Sequence, residues 1–222
     1  MLKALIFDVD GTLSDTDPVH REAFAAFLEP HGITVTDEVY LARISGRTNA
    51  AIFADLFPGR DSAELDRFAE EKEALFRRMA PELPPLAGLL DLLAWAQERA
   101  LKLAVVTNGP RINLEHAMEG LAVRDFFEVL LAREDVTHGK PDPMPYLTAL
   151  DRLGTEASEA IVFEDSPSGI RSAKGAGIFT FGLLTGQPVS TLLEAGADAT
   201  IADFRDPALW AKLEEAKRPG GG

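Results

Sequence analysis

This chain predicts an α/β fold: a doubly wound parallel sheet, interrupted after its first strand by an all-helical insertion. Three observations lead there. Short apolar runs recur along the chain with helical patterns between them, and strands alternating with helices build a parallel sheet covered on both faces. From about residue 17 to residue 80 the alternation stops, leaving helical periodicity and no convincing strand. The first apolar run begins almost at the N-terminus and closes on two aspartates, Asp8 and Asp10.

The elements follow in order. Lys3–Asp8 holds the unbroken run Ala-Leu-Ile-Phe, the composition of a strand buried on both faces. The helical stretch comes next, clearest over Ala63–Met79 with its charged face, and Pro81, Pro84 and Pro85 close it. Hinges are expected near Ser14–Asp17 and Pro81–Pro85; an insertion there lies beside the strand ends and can act as a lid. Beyond it, strands are expected at Leu101–Thr107, Phe127–Leu131, Ala160–Glu164, Ile178–Leu183 and, weakly, Ala199–Ala202. Helices are expected at Leu86–Ala100, Ile112–Leu121, Met144–Leu153, Ser168–Ala176 and Thr191–Ala195. The expected division is a core of residues 1–16 and 82–216, a helical unit of residues 17–81, and an unstructured tail of residues 217–222.

Composition narrows the function. With 46% hydrophobic residues, the 222-residue chain can bury a substantial core. No run of about 18 apolar residues is present, so no membrane partner is expected, and the N-terminal run does not read as a signal peptide. The absence of cysteine excludes disulfides and thiolate chemistry and fits a cytoplasmic protein. A net charge of −14 argues against nucleic acid. An anionic substrate would therefore need a locally positive site. No coiled-coil pattern argues against a monomer.

Chemistry-bearing residues gather at the ends of the expected strands, where ligands bind in open α/β sheets. Asp8 and Asp10 stand two residues apart after the first strand, and a cation or a shared proton relieves their repulsion. Thr107 and Asn108 follow the run Leu-Ala-Val-Val. Lys140 lies in the rigid loop Gly139-Lys140-Pro141-Asp142-Pro143. Glu164 and Asp165 end the run Ala-Ile-Val-Phe ahead of Ser166-Pro167-Ser168-Gly169. Together they suit phosphoryl transfer. Asp8 attacks phosphorus; Asp10 protonates the leaving oxygen and later activates water. Oxygen ligands from Asp8, the Asp10 carbonyl, Glu164 and Asp165 favour Mg²⁺. Thr107 and nearby N–H groups at a helix N-terminus bind phosphate, and Lys140 adds positive charge. Taken singly, Thr107 also reads as an N-cap, Lys140 as a solvated lysine, and Glu164-Asp165 as a helix cap.

These four segments, in this order, resemble the motifs of the haloacid dehalogenase superfamily. More narrowly, they resemble its branch of β-phosphoglucomutase, phosphoglycolate phosphatases and sugar-phosphate phosphatases. The resemblance spans essentially the whole chain. It implies a Rossmann-like core with a helical cap at the insertion, dependence on Mg²⁺, and an aspartyl-phosphate intermediate on Asp8. Asp10 is implied as acid and base, Thr107, Asn108 and Lys140 as phosphate ligands, and Asp8, Asp10, Glu164 and Asp165 as metal ligands. The expected substrate is a small phosphate monoester.

Asp10 argues against dehalogenation, which needs no leaving-group acid. Gly11-Thr12 leans towards a phosphatase over a phosphomutase. A phospho-acceptor signalling module has no use for Asp10 or for a lid. Three cap positions stay open. His20 contacts Asp10 or substrate, or is structural. Arg47 resembles a distal-phosphate arginine. Lys72 resembles a substrate-facing lysine, or is a solvated helix residue. If Arg47 and Lys72 both face the site, the substrate carries a second anionic group.

Overall fold

Six strands form one parallel sheet in the order β3–β2–β1–β4–β5–β6 in the computed structural model, which describes residues 1–44 and 47–216. The strands are β1 (Ala4–Phe7), β2 (Lys102–Val106), β3 (Val129–Leu131), β4 (Ala160–Glu164), β5 (Phe179–Leu183) and β6 (Ala199–Ile201). The chain winds outward from β1 in one direction and then from β4 in the other, so the crevice at the strand ends opens between β1 and β4. The expected tail at residues 217–222 lies outside the described residues.

Register places the chemistry. Phe7 pairs with Val105 on one side and with Phe163 on the other. One residue further on, Asp8 stands level with Val106 and Glu164, and its N–H donates to the Phe163 carbonyl at 3.0 Å.

Two faces follow from the alternation of side chains along a strand. On one, Ala4, Ile6, Ala104, Val106, Ala160 and Val162 pack against Tyr146, Ala149, Leu150 and Ala173. On the other, Phe7 stacks on Phe163 with ring centroids 4.9 Å apart, and Phe163 on Phe181 at 5.7 Å.

The chain folds into two compact units, one of Met1–Asp15 with Leu83 onward, the other of Thr16–Glu82. The helical unit holds α1 (Asp17–Leu28), the single turn α2 (Asp37–Val39), a π-helical turn at Tyr40–Ile44, α3 (Asn49–Leu56) and α4 (Ser62–Met79). Thr48 and Asp61 cap α3 and α4, accepting the N–H groups of Ala51 and Glu64. Phe24, Phe27, Leu28, Ile52, Phe53 and Phe68 form its own core. Among the described residues this stretch contains no strand.

The sheet is covered by α5 (Leu89–Gln97), α6 (Arg111–Gly120), α7 (Met144–Leu153), α8 (Pro167–Gly175), α9 (Val189–Ala195) and α10 (Pro207–Ala216). The sequence pattern placed the first five and missed α10. Its signal was modest: Pro207 at the helix start, and Leu209 and Leu213 one turn apart and fully buried. Trp210 of α10 meets Trp95 of α5 edge to face at 5.8 Å. No helix among the described residues is long and apolar enough to cross a membrane.

Phe163 is fully buried in the aromatic face. Phe163→Ala is expected to lower the unfolding free energy by about 3–5 kcal/mol, read from the urea midpoint.

Candidate active site

The Lys140 ammonium joins three neighbouring strand ends. It donates to Asp8 Oδ1 at 2.6 Å, to the Val106 carbonyl at 2.7 Å and to Glu164 Oε1 at 2.5 Å. These are the three residues that register sets level on β1, β2 and β4. An ammonium has three N–H bonds, and all are spent here. Lys140 and Asp8 are each 8% exposed, and Glu164 not at all. The solvated-lysine reading of Lys140 is therefore excluded. Burial alone would lower the Lys140 pKa; Asp8 and Glu164 more than reverse that and hold it well above the ordinary lysine range. Burial pushes the Asp8 carboxyl up to about 7, against the opposing pull of Lys140 and with help from Glu164 and Asp10.

Glu164 is held from four sides. Oε1 also accepts the Tyr146 hydroxyl at 2.8 Å, and Oε2 accepts the Ser166 hydroxyl at 3.0 Å and its N–H at 3.3 Å. Burial, reinforced by the Glu164 carboxylate, raises the Tyr146 pKa well above its usual value and keeps the phenol a donor. Ser166, not Glu164 or Asp165, caps α8 by accepting the Gly169 N–H at 3.1 Å. A Cβ on Gly169 would lie 1.8 Å from Glu164 Oε1, so the first turn of α8 needs glycine there. Gly11, with φ of +69°, meets the same demand opposite Asp165, whose Oδ2 would lie 2.3 Å from an added Cβ.

Carboxylate oxygens of Asp8, Glu164 and Asp165 all lie within 4.8 Å of one another. Asp10 is outside that side-chain set; the ligand expected from it is its main-chain carbonyl. Asp10 is near enough to act on Asp8, so negative charge is concentrated here while Lys140 bonds to two of the carboxylates. A hard divalent cation fits both this donor set and its charge.

Thr107 and Asn108 occupy the end of β2. Thr107 is not a helix cap, since α6 starts at Arg111 with Pro110 at its N-cap position. The Thr107 hydroxyl oxygen accepts the Gly109 N–H at 2.9 Å, leaving its own hydrogen for a ligand. The expected phosphate site at the α6 N-terminus is altered: the Arg111 N–H is taken by the Glu134 carboxylate at 3.0 and 3.2 Å. The Asn108 carboxamide is engaged with the Lys140 main chain, so its N–H is the group suited to a phosphate.

The three cap candidates do different things within the helical unit. Lys72 is 2% exposed, which overturns the solvated-helix reading. Its ammonium donates to Glu73 Oε1 at 2.8 Å, lies 2.8 Å from His20 Nδ1 and sits 4.4 Å from the centre of the Phe24 ring. Because an ammonium only donates, Nδ1 accepts and a neutral His20 ring carries its proton on Nε2. His20 also stacks on Phe76 at 3.9 Å. Asn49 adds a bond to Glu73 Oε1 at 2.6 Å. Burial works to raise the Glu73 carboxyl, but Lys72 and its hydrogen bonds leave it below its ordinary value. Arg47 donates to Asp55 at 3.1 Å and to the carbonyls of Arg43 and Ala51 at 2.9 and 3.1 Å. Glu73, Asn49, Tyr146 and Ser166 were all missed as polar partners. For Asn49 and Tyr146 the partners lie 24 and 18 residues away, which leaves no local signal; Glu73 and Ser166 sit next to or near theirs, and there only the capping type of Ser166 was a local cue.

A haloacid dehalogenase-like hydrolase model matches residues 5–183. The chain belongs to that family. It is 38% identical over 93% of its length to validoxylamine A 7'-phosphate phosphatase of Streptomyces hygroscopicus subsp. limoneus, covering 96% of that protein. It is 34% identical over 90% of its length to the phosphorylated carbohydrates phosphatase of Thermotoga maritima, covering 94% of it. Among solved structures, the family IA, variant 3 hydrolase of Entamoeba histolytica superimposes with a TM-score of 0.88 at 25% identity, covering 98% of this chain and all of that one.

Two stability measurements check this geometry. Gly169→Ala is expected to cost about 1–3 kcal/mol in urea unfolding, since the Glu164 carboxylate must be displaced; wild-type stability would mean it moves aside freely. Glu73→Leu is expected to cost about 3–5 kcal/mol by stranding the Lys72 ammonium, with Lys72→Met restoring most of the loss in the double variant.

Proposed function

We propose that this hydrolase is a Mg²⁺-dependent phosphatase that cleaves small phosphate monoesters through an aspartyl-phosphate on Asp8. The observation that carries the reading is the junction of β1 and β4. There a buried nucleophile-type carboxylate, a fixed ammonium and a second acid pair share one crevice. Relatives named as phosphatases of phosphorylated carbohydrates and of validoxylamine A 7'-phosphate support a carbohydrate-like monoester as the substrate.

The steps belong to the chain's own residues. Asp8 attacks phosphorus, forming an acyl phosphate as the ester P–O bond breaks. Asp10 gives its proton to the departing alkoxide and then takes one from the water that attacks the phosphoenzyme. Lys140 stands beside Asp8, where negative charge accumulates on the transferring group. Thr107 and the Asn108 N–H bind phosphate oxygens. Bound through Asp8, the Asp10 carbonyl, Glu164 and Asp165, Mg²⁺ would supply the positive charge that an anionic substrate requires. The Thr16–Glu82 unit is assigned as the cap.

The position of Thr12 does not separate phosphatase from mutase. Its hydroxyl is fully buried and among the described residues has no hydrogen-bond partner, so it packs much as an apolar residue would. Arg47 and Lys72 speak more directly. Each is already paired inside the helical unit, which favours a substrate with one phosphate over one needing a second anion site.

Phosphate release from a panel of sugar monophosphates, bisphosphates, phosphoglycolate and p-nitrophenyl phosphate, with Mg²⁺ and then with chelator, tests the reading. Metal-dependent release is expected, concentrated on monophosphates. Asp8→Asn should abolish turnover in a folded protein, and normal activity there would end the aspartyl-phosphate mechanism. Asp10→Ala should slow leaving-group expulsion by roughly 10²–10⁴-fold, least for p-nitrophenyl phosphate, whose leaving group needs little protonation.

A further inference from the structure

We propose that Asn108 is a positioning residue whose carboxamide holds the Lys140 main chain, so that the ammonium meets Asp8 and Glu164 together. The carboxamide grips one residue at both of its polar main-chain groups. Oδ1 accepts the Lys140 N–H at 2.9 Å, and Nδ2 donates to the Lys140 carbonyl at 3.0 Å. Both ends of Lys140 are thereby tied to the end of β2: its main chain through Asn108, its ammonium through the Val106 carbonyl. A long, flexible lysine side chain gains a defined starting point, and the two carboxylates select its end.

Gly139 supplies an independent handle on the same contact. A Cβ built there would lie 2.7 Å from Asn108 Oδ1, closer than carbon and oxygen pack. The conflict is with the far end of a side chain, which can swing away. Swinging away breaks the clamp. Glycine at 139 and asparagine at 108 therefore form one device, and the Asn108 side chain need not touch the substrate.

The test is a double-mutant cycle on kcat for p-nitrophenyl phosphate with Mg²⁺, with melting midpoints measured for every variant. It rests on the phosphatase reading for that readout. Asn108→Ala and Gly139→Ala should each lower kcat by about 10²-fold, the scale of a small misplacement of a reacting group. In the Asn108→Ala background, Gly139→Ala should change kcat by less than about 2-fold, because the atom it strikes is gone. Losses that multiply would overturn the proposal, as would an Asn108→Ala protein with wild-type kcat. So would a loss in kcat that merely tracks the unfolded fraction. Should Asn108→Ala fail to fold, Asn108→Ser takes its place with the same expectations. A second readout needs no turnover: the Lys140 backbone amide resonance should shift in both single variants, and an unmoved resonance rejects the clamp. A wild-type protein that releases no phosphate ends the phosphatase reading and leaves the clamp to be judged by that resonance.

Discussion

One ammonium across three strand ends organises the active end of this fold. Burying the carboxylates of Asp8 and Glu164 side by side takes both from water and sets like charges together. Lys140 bonds to both, and to the Val106 carbonyl between β2 and the crevice. The remaining features answer that arrangement. Tyr146 shares Glu164 Oε1 with Lys140, Ser166 satisfies the Oε2 that Lys140 leaves open, and Gly169 makes room for the carboxylate. A half-satisfied version of this network would cost more than an apolar replacement, which is why each partner is specified so narrowly.

The sheet and its strand ends were largely legible in the sequence, for a simple reason. Strands buried on both faces are nearly unbroken apolar runs, so a charged residue or a cluster of polar ones stands out where the run ends. Asp8, Thr107 and Glu164 announce themselves in that way. Which face they use is harder to see. Asp8 shares the parity of Ala4 and Ile6, and Glu164 that of Ala160 and Val162, so both point towards α7. Lys140 reaches them because its loop opens that helix. That step depends on register and crossover, which local pattern does not contain. Tyr146 illustrates the gap: on α7 it reads as an ordinary core aromatic, and only the fold shows its hydroxyl on Glu164.

The helical unit was legible as helices and opaque as chemistry. A charged α4 face suggested a solvated lysine at position 72, yet Lys72 lies inside, between Glu73, His20 and the Phe24 ring. Adjacent residues on a helix point about 100° apart, so a Lys-Glu pair in sequence rarely signals a buried ion pair. Lys72 and Glu73 meet because both side chains bend towards one polar pocket that Asn49 and His20 complete. The likeness of Lys72 and Arg47 to substrate-facing residues carried no information about what already neutralises them.

Charge ties the two scales together. The chain is strongly acidic as a whole, and the crevice repeats that sign locally, where the Asp8, Glu164 and Asp165 carboxylates cluster with Asp10 nearby and Lys140 bonds to two of them. A phosphate dianion approaching such a crevice is repelled at long range and again at contact. Lys140 cannot reverse this, because its three donors are already spent on the protein. What the structure shows of Lys140 is that it holds the Asp8 and Glu164 carboxylates together at the strand ends. On the proposed phosphatase reading, attraction of the substrate would come from a cation held by the Asp8, Glu164 and Asp165 carboxylates. The acidity that would repel a phosphate is also what would hold the ion the proposed mechanism requires.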